Sequence, residues 1–570
     1  TLATNALIER RGATVATVTT AGFRDILEIA YERRYTQYAI DIQKPDLIVP
    51  RSRAFTIAGR MDATGAERTP LDEPGVARLA DEIRQSGADA VAICLLHAYA
   101  NPAHEVRLKT LLHAAMPDLV ISLSHEVSPE AREFDRLCTT IANAYIQPLM
   151  SDYLYNLQTG FADRGLGCQI LMMSAGGGMT TIETAARLPI RLVESGPAGG
   201  AVLAARIAEQ IEERAVLSID MGGTTAKLCL IDEFRPQTAR KFEISRAERF
   251  IKGSGMPVRI PVVEMIEIGA GGGSIARVDR LGRLQVGPQS AGAAPGPAGF
   301  GKGGTHPTVT DADIVQGLID PERFAEGRLR IDPEAAEQAL ARNIGDPLQT
   351  EAAAASHGVS EIVDESMASA GRMHAVESGK DLGVRTMIAF GGNGPLHATR
   401  VARRARVARI VVPPDPGVGS AVGFLHAPVS FEIVRSRYMT LDTIEFTGLS
   451  AFFDEMLSEA EAVVRAGVST GPLTRRRVAF MRYRGQGHEI EIDLPDRHLG
   501  PDDIVMLRSA FEAEYRRQFV RIVPDMSIEI LNWAVSVASQ IGGPPAGPQT
   551  VAHQPARPTG QRRILCDVAG

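Results

Sequence analysis

The stretch VLSIDMGGTTAKLCLID, residues 216–232, consists of two apolar runs joined by the turn Gly-Gly-Thr-Thr. Apolar runs of this length around such a turn predict the two buried strands of a hairpin. Glycines let backbone N–H groups approach an anionic ligand closely, and threonine hydroxyls add further donors. Asp220 closes the first run, where it is placed to hold a hydrated Mg²⁺ ion or to orient a water. An ordinary hairpin turn that binds nothing fits this stretch equally well.

The composition is that of a folded protein with more than one domain. At 570 residues, 44% of them apolar, the chain exceeds what one hydrophobic core usually serves, so about two to four domains are expected. A net charge of −7 with interspersed acids and bases gives no reason to expect binding to nucleic acid or to a membrane. The five cysteines form no CxxC pair and no Cys/His cluster, which argues for a reducing compartment. We therefore expect a cytoplasmic protein.

The first part of the chain alternates between predicted strands and predicted helices, at residues 13–20, 75–86, 90–98 and 105–115. This alternation predicts an α/β unit with a largely parallel sheet. Ser128 and Pro129 then carry the N-cap and first-turn signals that predict the start of a long helix.

A region rich in Gly, Ala and Pro, residues 286–304, is expected to contain no regular structure. It fits either a linker or an ordered loop, and the ordered-looking segments on both sides favour the loop. Asp311 and Asp313 follow where a further helix is predicted to begin. Their carboxylates fit helix caps, with a metal site as the alternative.

The last part of the chain has a different pattern, with long amphipathic helices and alternating strands. The predicted helices and strands are residues 447–466, 475–483, 489–494, 502–519 and 526–538. The first two of these strands flank a short Arg-Gly-Gln-Gly-His turn and therefore predict a hairpin. This part is expected to form an α+β domain.

Seven stretches together carry a family resemblance: ATNALIERRGA (3–13), VESGPAGG (193–200), DMGGTTAK (220–227), EIGAGGGSIARVD (267–279), VGPQSAGAAPGPA (286–298), PTVTDAD (307–313) and FGGNGPLHA (390–398). With these stretches the chain resembles the A subunit of the ATP-dependent hydantoinase and 5-oxoprolinase family, which includes the acetone carboxylases. Each stretch is a weak signal alone, and seven in family order are a strong one.

The resemblance implies an α/β fold with a two-lobed ATPase core of the actin, sugar-kinase and chaperone type, which is ribonuclease H-like. Its implied divisions are an N-terminal lobe at residues 1–123, a core with the ATP-binding lobe at 124–430, and an incomplete α+β domain at 431–570. ATP and Mg²⁺ are the implied cofactors. The implied site residues are Asp220 and Lys227 as catalytic groups, Asp220 as metal ligand, and Gly222, Gly223, Thr224, Thr225, Gly391, Gly392 and Asn393 around the nucleotide.

The activity that the resemblance implies is ATP-dependent hydrolysis of a cyclic amide, of the hydantoin or 5-oxoproline type, through phosphorylation of the amide oxygen. A hydantoinase B-type subunit is the implied partner, in a hetero-oligomer. Many family members read DMGGTSTD where this chain has Ala226 and Lys227, and one acid is lost there. Members also carry a DxGGTFTD hairpin upstream of the position of Thr1 and continue past that of Gly570, so a fragment is expected.

Two other functions fit the same sequence. An acetone-carboxylase-like subunit would use the same ATP motifs to phosphorylate a ketone enolate and bicarbonate. A non-catalytic nucleotide-binding regulator would bind ATP without turnover that depends on a substrate. The match along the whole chain favours the amide-hydrolysing enzyme over the regulator.

Overall fold

The computed structural model describes residues 2–32, 34, 36, 38, 40–42, 46–244, 253–540 and 560–565. The chain divides into two compact units. The first comprises Thr1–Ala198, Thr238–Val262 and Ala427–Ile541, and the second comprises Gly199–Gln237, Val263–His426 and Gly542–Gly570. None of the described helices combines the length and the apolar character that a bilayer crossing requires.

The N-terminal part of the first unit is a parallel α/β sheet, as predicted. Its strands lie in the order Ala54–Ile57, Val15–Thr20, Ala90–Cys94 and Val120–Leu123, and all three neighbouring pairs are parallel. Every residue of the strand Ala90–Cys94 is buried, as expected for a strand covered on both faces. The helices of this part are Leu2–Ile8, Ile26–Ile29, Gly75–Gln85, Ala103–Ala115 and Ser124–Val127.

The long helix of the first unit is Glu133–Ala162, so the predicted start at Ser128 is wrong. The Ser128 hydroxyl caps nothing and has no hydrogen-bond partner among the described residues. Tertiary contacts hold this segment out of helical conformation: the Ala131 N–H donates to Ser436 Oγ at 2.7 Å, and the Ser436 N–H donates to the Pro129 carbonyl at 3.1 Å. These long-range bonds override the local capping signal.

The C-terminal part of the first unit is an antiparallel sheet with two helices, and the predicted hairpin is confirmed. The strand order is Ser430–Thr440, Ile528–Ser539, Leu473–Tyr483 and Ile490–Leu494. Its helices are Phe446–Gly467 and Asp503–Phe519. Trp533 is fully buried in this part, with Phe453 packed edge-on at 5.7 Å between ring centroids. Shorter elements of the first unit are Arg60–Met61, Glu67–Thr69, Leu171–Met173, Met179–Thr181, Ile182–Arg187, Pro189–Leu192, Phe242–Ile244 and Met256–Val258.

The second unit is built on a mixed sheet whose centre is the predicted hairpin. Its strand order is Arg235–Pro236, Ala226–Asp232, Ala215–Met221, Thr386–Phe390 and Arg409–Val411, and Met265–Ile268 also pairs with Ala226–Asp232. The hairpin pair is antiparallel, and the next two pairs are parallel. Helices of this unit include Val309–Val315, Pro333–Leu340, Ala352–Glu377, Gly394–Ala405 and Gly419–Leu425.

Residues 286–304 contain two regular elements that the composition did not predict, a strand and the short 3₁₀ helix Ala298–Phe300. Leu284–Ser290 is a strand paired with Ser274–Val278. The pairing steps from Ala276 opposite Val286 to Ser274 opposite Ser290, so the intervening Gly-Pro-Gln forms a bulge that keeps Gly and Pro inside a strand. The residues that follow form an ordered loop, as predicted, and the Gly299 N–H donates to Asp311 Oδ1 at 2.7 Å.

Candidate functional site

The candidate site lies at the ends of two neighbouring strands in the second unit. Ala215–Met221 and Thr386–Phe390 run parallel, with Asp220 opposite Phe390. The turn after the first strand is residues 222–225, and the turn after the second is residues 391–393. Because parallel strands end at the same sheet edge, both glycine-rich turns lie side by side, at the edge where α/β sheets bind ligands.

Hydrogen bonds join the two turns directly. The Asn393 N–H donates to the Met221 carbonyl at 2.9 Å, and the Asn393 side-chain amide donates to the Gly222 carbonyl at 3.1 Å. The Gly222 N–H closes its own turn by donating to the Thr225 carbonyl at 3.0 Å. The structure therefore brings together both sets of residues that the sequence assigned to the nucleotide.

A third glycine-rich segment, residues 271–273, also belongs to this site. The Gly272 and Gly273 N–H groups donate to the Gly222 and Gly223 carbonyls at 3.0 and 2.6 Å. A side chain at Gly271 would place its first carbon 2.6 Å from backbone atoms of Thr224, so only glycine allows this approach. Sequence reasoning recognised this stretch as a family match and did not place it in the site.

The glycines of the two predicted turns differ in what surrounds them. Gly391 has a φ of +85°, and a first side-chain carbon there would lie 2.5 Å from Asp220 Oδ1. At Gly223 and Gly392 the same carbon would meet no atom within 4 Å, and at Gly222 the nearest atom is 4.0 Å away. Gly391 is thus required by the protein's own packing, whereas the other three leave open space beside the backbone.

Asp220 is half-buried and is oriented by a residue that sequence reasoning missed. The Ser420 hydroxyl donates to Asp220 Oδ2 at 2.7 Å. Ser420 lies in the first turn of the helix Gly419–Leu425. The only sequence signal for it is the Gly-rich run after the prolines near residue 415, and that run does not point to Asp220.

Lys227 lies on the second strand of the hairpin, directly opposite Asp220. Opposed residues of an antiparallel pair place their side chains on the same face of the sheet. The third strand places Glu267 opposite Lys227 on its other side, and Lys227 Nζ lies 3.6 Å from Glu267 Oε1. The lysine is therefore on the same sheet face as the carboxylate, in an ion pair with Glu267.

Comparison with known proteins identifies the family. The hydantoinase/oxoprolinase N-terminal region matches residues 1–116, and the hydantoinase/oxoprolinase family itself matches residues 136–433. The chain belongs to the hydantoinase/oxoprolinase family. The resemblance inferred from the seven sequence stretches is thereby confirmed.

Relatives of this hydantoinase/oxoprolinase chain match it over nearly its whole length. Uncharacterized protein MJ0964 of Methanocaldococcus jannaschii is 32% identical over 556 residues, which cover 96% of this chain and 80% of that protein. The caprolactamase alpha subunit of Pseudomonas jessenii is 30% identical over 557 residues, which cover 96% and 78%. The crystal structure of the ATP-dependent caprolactamase from that organism matches with a TM-score of 0.84 at 29% identity, covering 100% of this chain and 82% of that one. The α/β fold is therefore shared with an ATP-dependent enzyme.

The side chains around Asp220 fit a metal site that is completed by substrate phosphates and waters. Among the described residues, no group of three or more His, Cys, Asp or Glu side chains is arranged to hold a metal ion. Mg²⁺ in phosphoryl-transfer sites is commonly held by one or two carboxylates together with substrate phosphates and waters. A single oriented carboxylate beside an exposed turn fits that arrangement and does not fit a metal site made of protein ligands alone.

Asp311 and Asp313 have structural partners in this family member. Asp311 forms a capping box with Thr308 at the start of the helix Val309–Val315, so the cap prediction is confirmed for Asp311. Asp313 lies 3.3 Å from His397 Nε2, and Asp364 Oδ1 lies 2.7 Å from His397 Nδ1.

These groups form a buried ionic cluster, the histidine cluster, made of Asp313, Asp364, His397 and Arg400. Arg400 Nε lies 2.7 Å from Asp364 Oδ2. Burial opposes the charge on His397, but the carboxylates of Asp313 and Asp364 outweigh it and raise the pKa of His397 to about 10. The PLHA part of the FGGNGPLHA stretch therefore contributes to the interior rather than to the turn 391–393.

Proposed function

We propose that this chain is the ATP-binding subunit of an enzyme that hydrolyses a cyclic amide of the hydantoin or 5-oxoproline type. One observation carries the proposal: Asp220, the exposed turn 222–225 and the turn 391–393 meet at one sheet edge, with open space beside three of their glycines. Glycines that the fold does not require, next to a carboxylate, are expected where a backbone must approach phosphate. The ATP-dependent caprolactamase relative supports the reaction class.

The chemistry explains why such a hydrolysis uses ATP. An unstrained cyclic amide is a poor electrophile, because resonance stabilises the carbonyl and the amide nitrogen leaves poorly. Attack of the amide oxygen on the γ-phosphorus releases ADP and forms an imidate phosphate. Water then attacks the activated carbon, and the ring C–N bond of the tetrahedral intermediate breaks as the nitrogen takes up a proton, which leaves an acyl phosphate. A second water hydrolyses the acyl phosphate to the carboxylate and phosphate. The protein's contribution to the first step is positioning and neutralisation of charge.

The role proposed for each residue follows from where that residue lies at the sheet edge. Gly222, Gly223, Thr224 and Thr225 hold phosphate oxygens through backbone N–H groups and hydroxyls, and Gly391, Gly392 and Asn393 border the adenosine. Asp220, oriented by Ser420, would hold Mg²⁺, and the ion would supply neutralisation of phosphoryl charge. Lys227 adds positive charge on the same face.

The wider assignments belong to the same proposal. The mixed sheet of the second unit is the nucleotide-binding lobe of a two-lobed, ribonuclease H-like ATPase, and the chain works in a hetero-oligomer with a B-type subunit in the cytoplasm. The relative of known activity is itself an alpha subunit, which supports a partner. The divisions at residues 123 and 430 stay predictions.

The test compares Asp220→Asn with Asp279→Asn, a matched change on a surface turn of the same unit. ATP turnover is measured with the B-type subunit present and with a hydantoin, 5-oxoproline, or a ketone plus bicarbonate. We expect turnover stimulated by a cyclic amide, a loss of about 100-fold or more in Asp220→Asn, and wild-type turnover in Asp279→Asn. Unchanged turnover in Asp220→Asn, with its unfolding midpoint also unchanged, would refute the role of Asp220. Stimulation by the ketone alone would refute the substrate class.

A further inference from the structure

The first unit contains a charged cavity that the proposed nucleotide site does not use. Its volume is about 100 Å³, room for several waters or one small organic molecule. Arg191, Arg240 and Glu432 line it, together with the hydroxyls of Thr180 and Ser430. All the lining residues belong to the first unit. We call it the arginine pocket.

Arg191 makes its hydrogen bond to a backbone carbonyl and not to a carboxylate. Its Nη1 donates to the backbone carbonyl of Glu432 at 2.8 Å, and its guanidinium carbon lies 4.3 Å from the centroid of the Phe431 ring. Among the described residues, no acidic side chain forms an ion pair with Arg191, and its buried Nε–H has no acceptor. Burial lowers the pKa of Arg191 to about 10, against the opposing effect of the neighbouring Glu432 carboxylate. Because an unpaired charge is costly to bury, an anion in the cavity would stabilise this group.

Arg240 and Thr180 add further donors to the same cavity. The Arg240 guanidinium carbon lies 3.8 Å from the centroid of the Phe480 ring, and its terminal nitrogens contact Glu130 and Glu489. Its Nε–H and the Thr180 hydroxyl are buried and have no hydrogen-bond partner among the described residues. Buried polar groups are normally satisfied, so an acceptor bound in the cavity would provide the partner that these two donors lack within the protein.

Glu432 supplies the opposite charge. Glu432 lines the cavity, and its carboxylate accepts no hydrogen bond from the residues that the structure describes. Burial, and then the neighbouring carboxylate of Glu491, raise the pKa of Glu432. A cation or N–H donor beside Glu432 would offset both the cost of its burial and the repulsion from Glu491. The arginine pocket therefore offers donors for an anion and a separate acceptor for an amine.

We infer that the arginine pocket binds a small amino acid in its zwitterionic form. Arg191, assisted by Thr180 and Arg240, would hold the carboxylate, and Glu432 would hold the ammonium group. Arginine matches a planar carboxylate with two parallel hydrogen bonds, and Glu432 disfavours a simple anion such as phosphate. This inference rests on the proposed function for its ligand class, with a substrate of the 5-oxoproline type. Hydrolysis of such a lactam creates a carboxylate and an amine in the same molecule, whereas opening of a hydantoin leaves the nitrogen in a urea group.

The test measures binding by calorimetry, on the chain alone and on its complex with the B-type subunit. The probes are 4-aminobutyrate, butyrate, which lacks the amine, butylamine, which lacks the carboxylate, and inorganic phosphate. We expect the wild-type protein to prefer 4-aminobutyrate to each of the other three by at least about tenfold. No binding of 4-aminobutyrate up to about 10 mM, or equal binding of butyrate or phosphate, would overturn the inference.

Two variants and a matched control assign the charges. Arg191→Gln is expected to weaken binding of 4-aminobutyrate at least tenfold, and Glu432→Gln to remove the preference for 4-aminobutyrate over butyrate. Arg187→Gln, an exposed arginine on the adjacent helix Ile182–Arg187, is expected to change neither value. If Arg191→Gln does not fold, Thr180→Val gives a smaller loss by the same mechanism. Unaltered binding in folded variants would contradict the inference.

The binding measurements with 4-aminobutyrate do not involve ATP. Binding of 4-aminobutyrate with the expected variant pattern supports the arginine pocket even if Asp220→Asn leaves ATP turnover unchanged. Loss of turnover in Asp220→Asn without any amino acid binding refutes the pocket and leaves the proposed function in place.

Discussion

The exposed turn at residues 222–225 and the buried histidine cluster both include residues from stretches that carry the family resemblance, yet their physical settings are opposite. In the turn, Gly223 and Thr224 are exposed, and a side chain at Gly223 would meet open space. In the cluster, Asp313, Asp364 and His397 are at most 1% exposed and are surrounded by opposite charges. The family stretches therefore contain both exposed residues with open space beside them and residues that hold the interior together.

The difference gives each region its own signature when it is mutated. Removing one partner from the cluster leaves an uncompensated charge in the interior, which costs stability. Replacing Gly223 by a larger residue disturbs no contact within the protein. The new side chain would obstruct only a molecule that approaches the turn from solvent. Stability and nucleotide binding should therefore separate.

The largest effect is expected from Asp364→Ala. This change leaves His397 and Arg400 buried without one of their two carboxylates and should lower the free energy of unfolding by about 3–5 kcal/mol. The measurement is urea unfolding, with the slope m checked for constancy. Glu361→Ala is the control on the same helix. Its side chain is 43% exposed and pairs with Arg404, so a loss below about 1 kcal/mol is expected. Equal losses in both variants would contradict the cluster's role.

The pH dependence of stability tests the charge state of the same cluster. The pKa of His397 is raised from 6.5 to about 10, so the folded protein holds a proton that the unfolded chain releases between these values. The stabilisation is complete below about pH 6.5 and is lost as the pH rises towards 10. The stability advantage of wild type over His397→Gln should shrink across this interval. A constant difference would show that His397 is neutral in the folded state.

The main lines of the fold could be predicted because they depend on local patterns. The apolar runs of residues 216–232 and the strand–helix alternation before residue 123 predicted the hairpin and the parallel sheet. The helix start at Ser128 failed because Ala131 donates its N–H to Ser436, 305 positions away in sequence. The strand Leu284–Ser290 was not predicted because its Gly and Pro lie in a bulge.

The glycine-rich turns of the site could be predicted from the sequence. The parts of the site that depend on tertiary contacts could not. Gly222 and Gly391 belong to recognisable turns, so both turns were found. Ser420 lies 200 positions from Asp220, and only the folded chain brings its hydroxyl within 2.7 Å. The arginine pocket is a further example, because Arg191 and Glu432 lie on different elements and neither belongs to a motif that suggests a ligand.

An intermediate effect is expected from the matched pair Gly391→Ala and Gly223→Ala. Alanine at Gly391 must adopt a φ of +85° and would contact Asp220 Oδ1 at 2.5 Å, so a stability loss of at least about 2 kcal/mol is expected. Alanine at Gly223 meets no atom, so stability should change by less than about 0.5 kcal/mol. ATP affinity in Gly223→Ala should nevertheless fall about tenfold, measured by calorimetry. Full ATP affinity in that variant would remove the turn from the site.

A small effect on stability is also expected at the edge of the site, where Lys227 and Glu267 form an ion pair. Their atoms are 3.6 Å apart, and the Glu267 side chain is 43% exposed, so solvent screens the pair. Lys227→Met and Glu267→Gln should each lower the free energy of unfolding by less than about 1 kcal/mol. Only Lys227→Met should slow ATP turnover, by about tenfold, because it removes positive charge from the face of Asp220. If Glu267→Gln slows turnover as much as Lys227→Met, the charge of Lys227 alone does not explain the effect. Glu267 would then be assigned a role in the reaction as well.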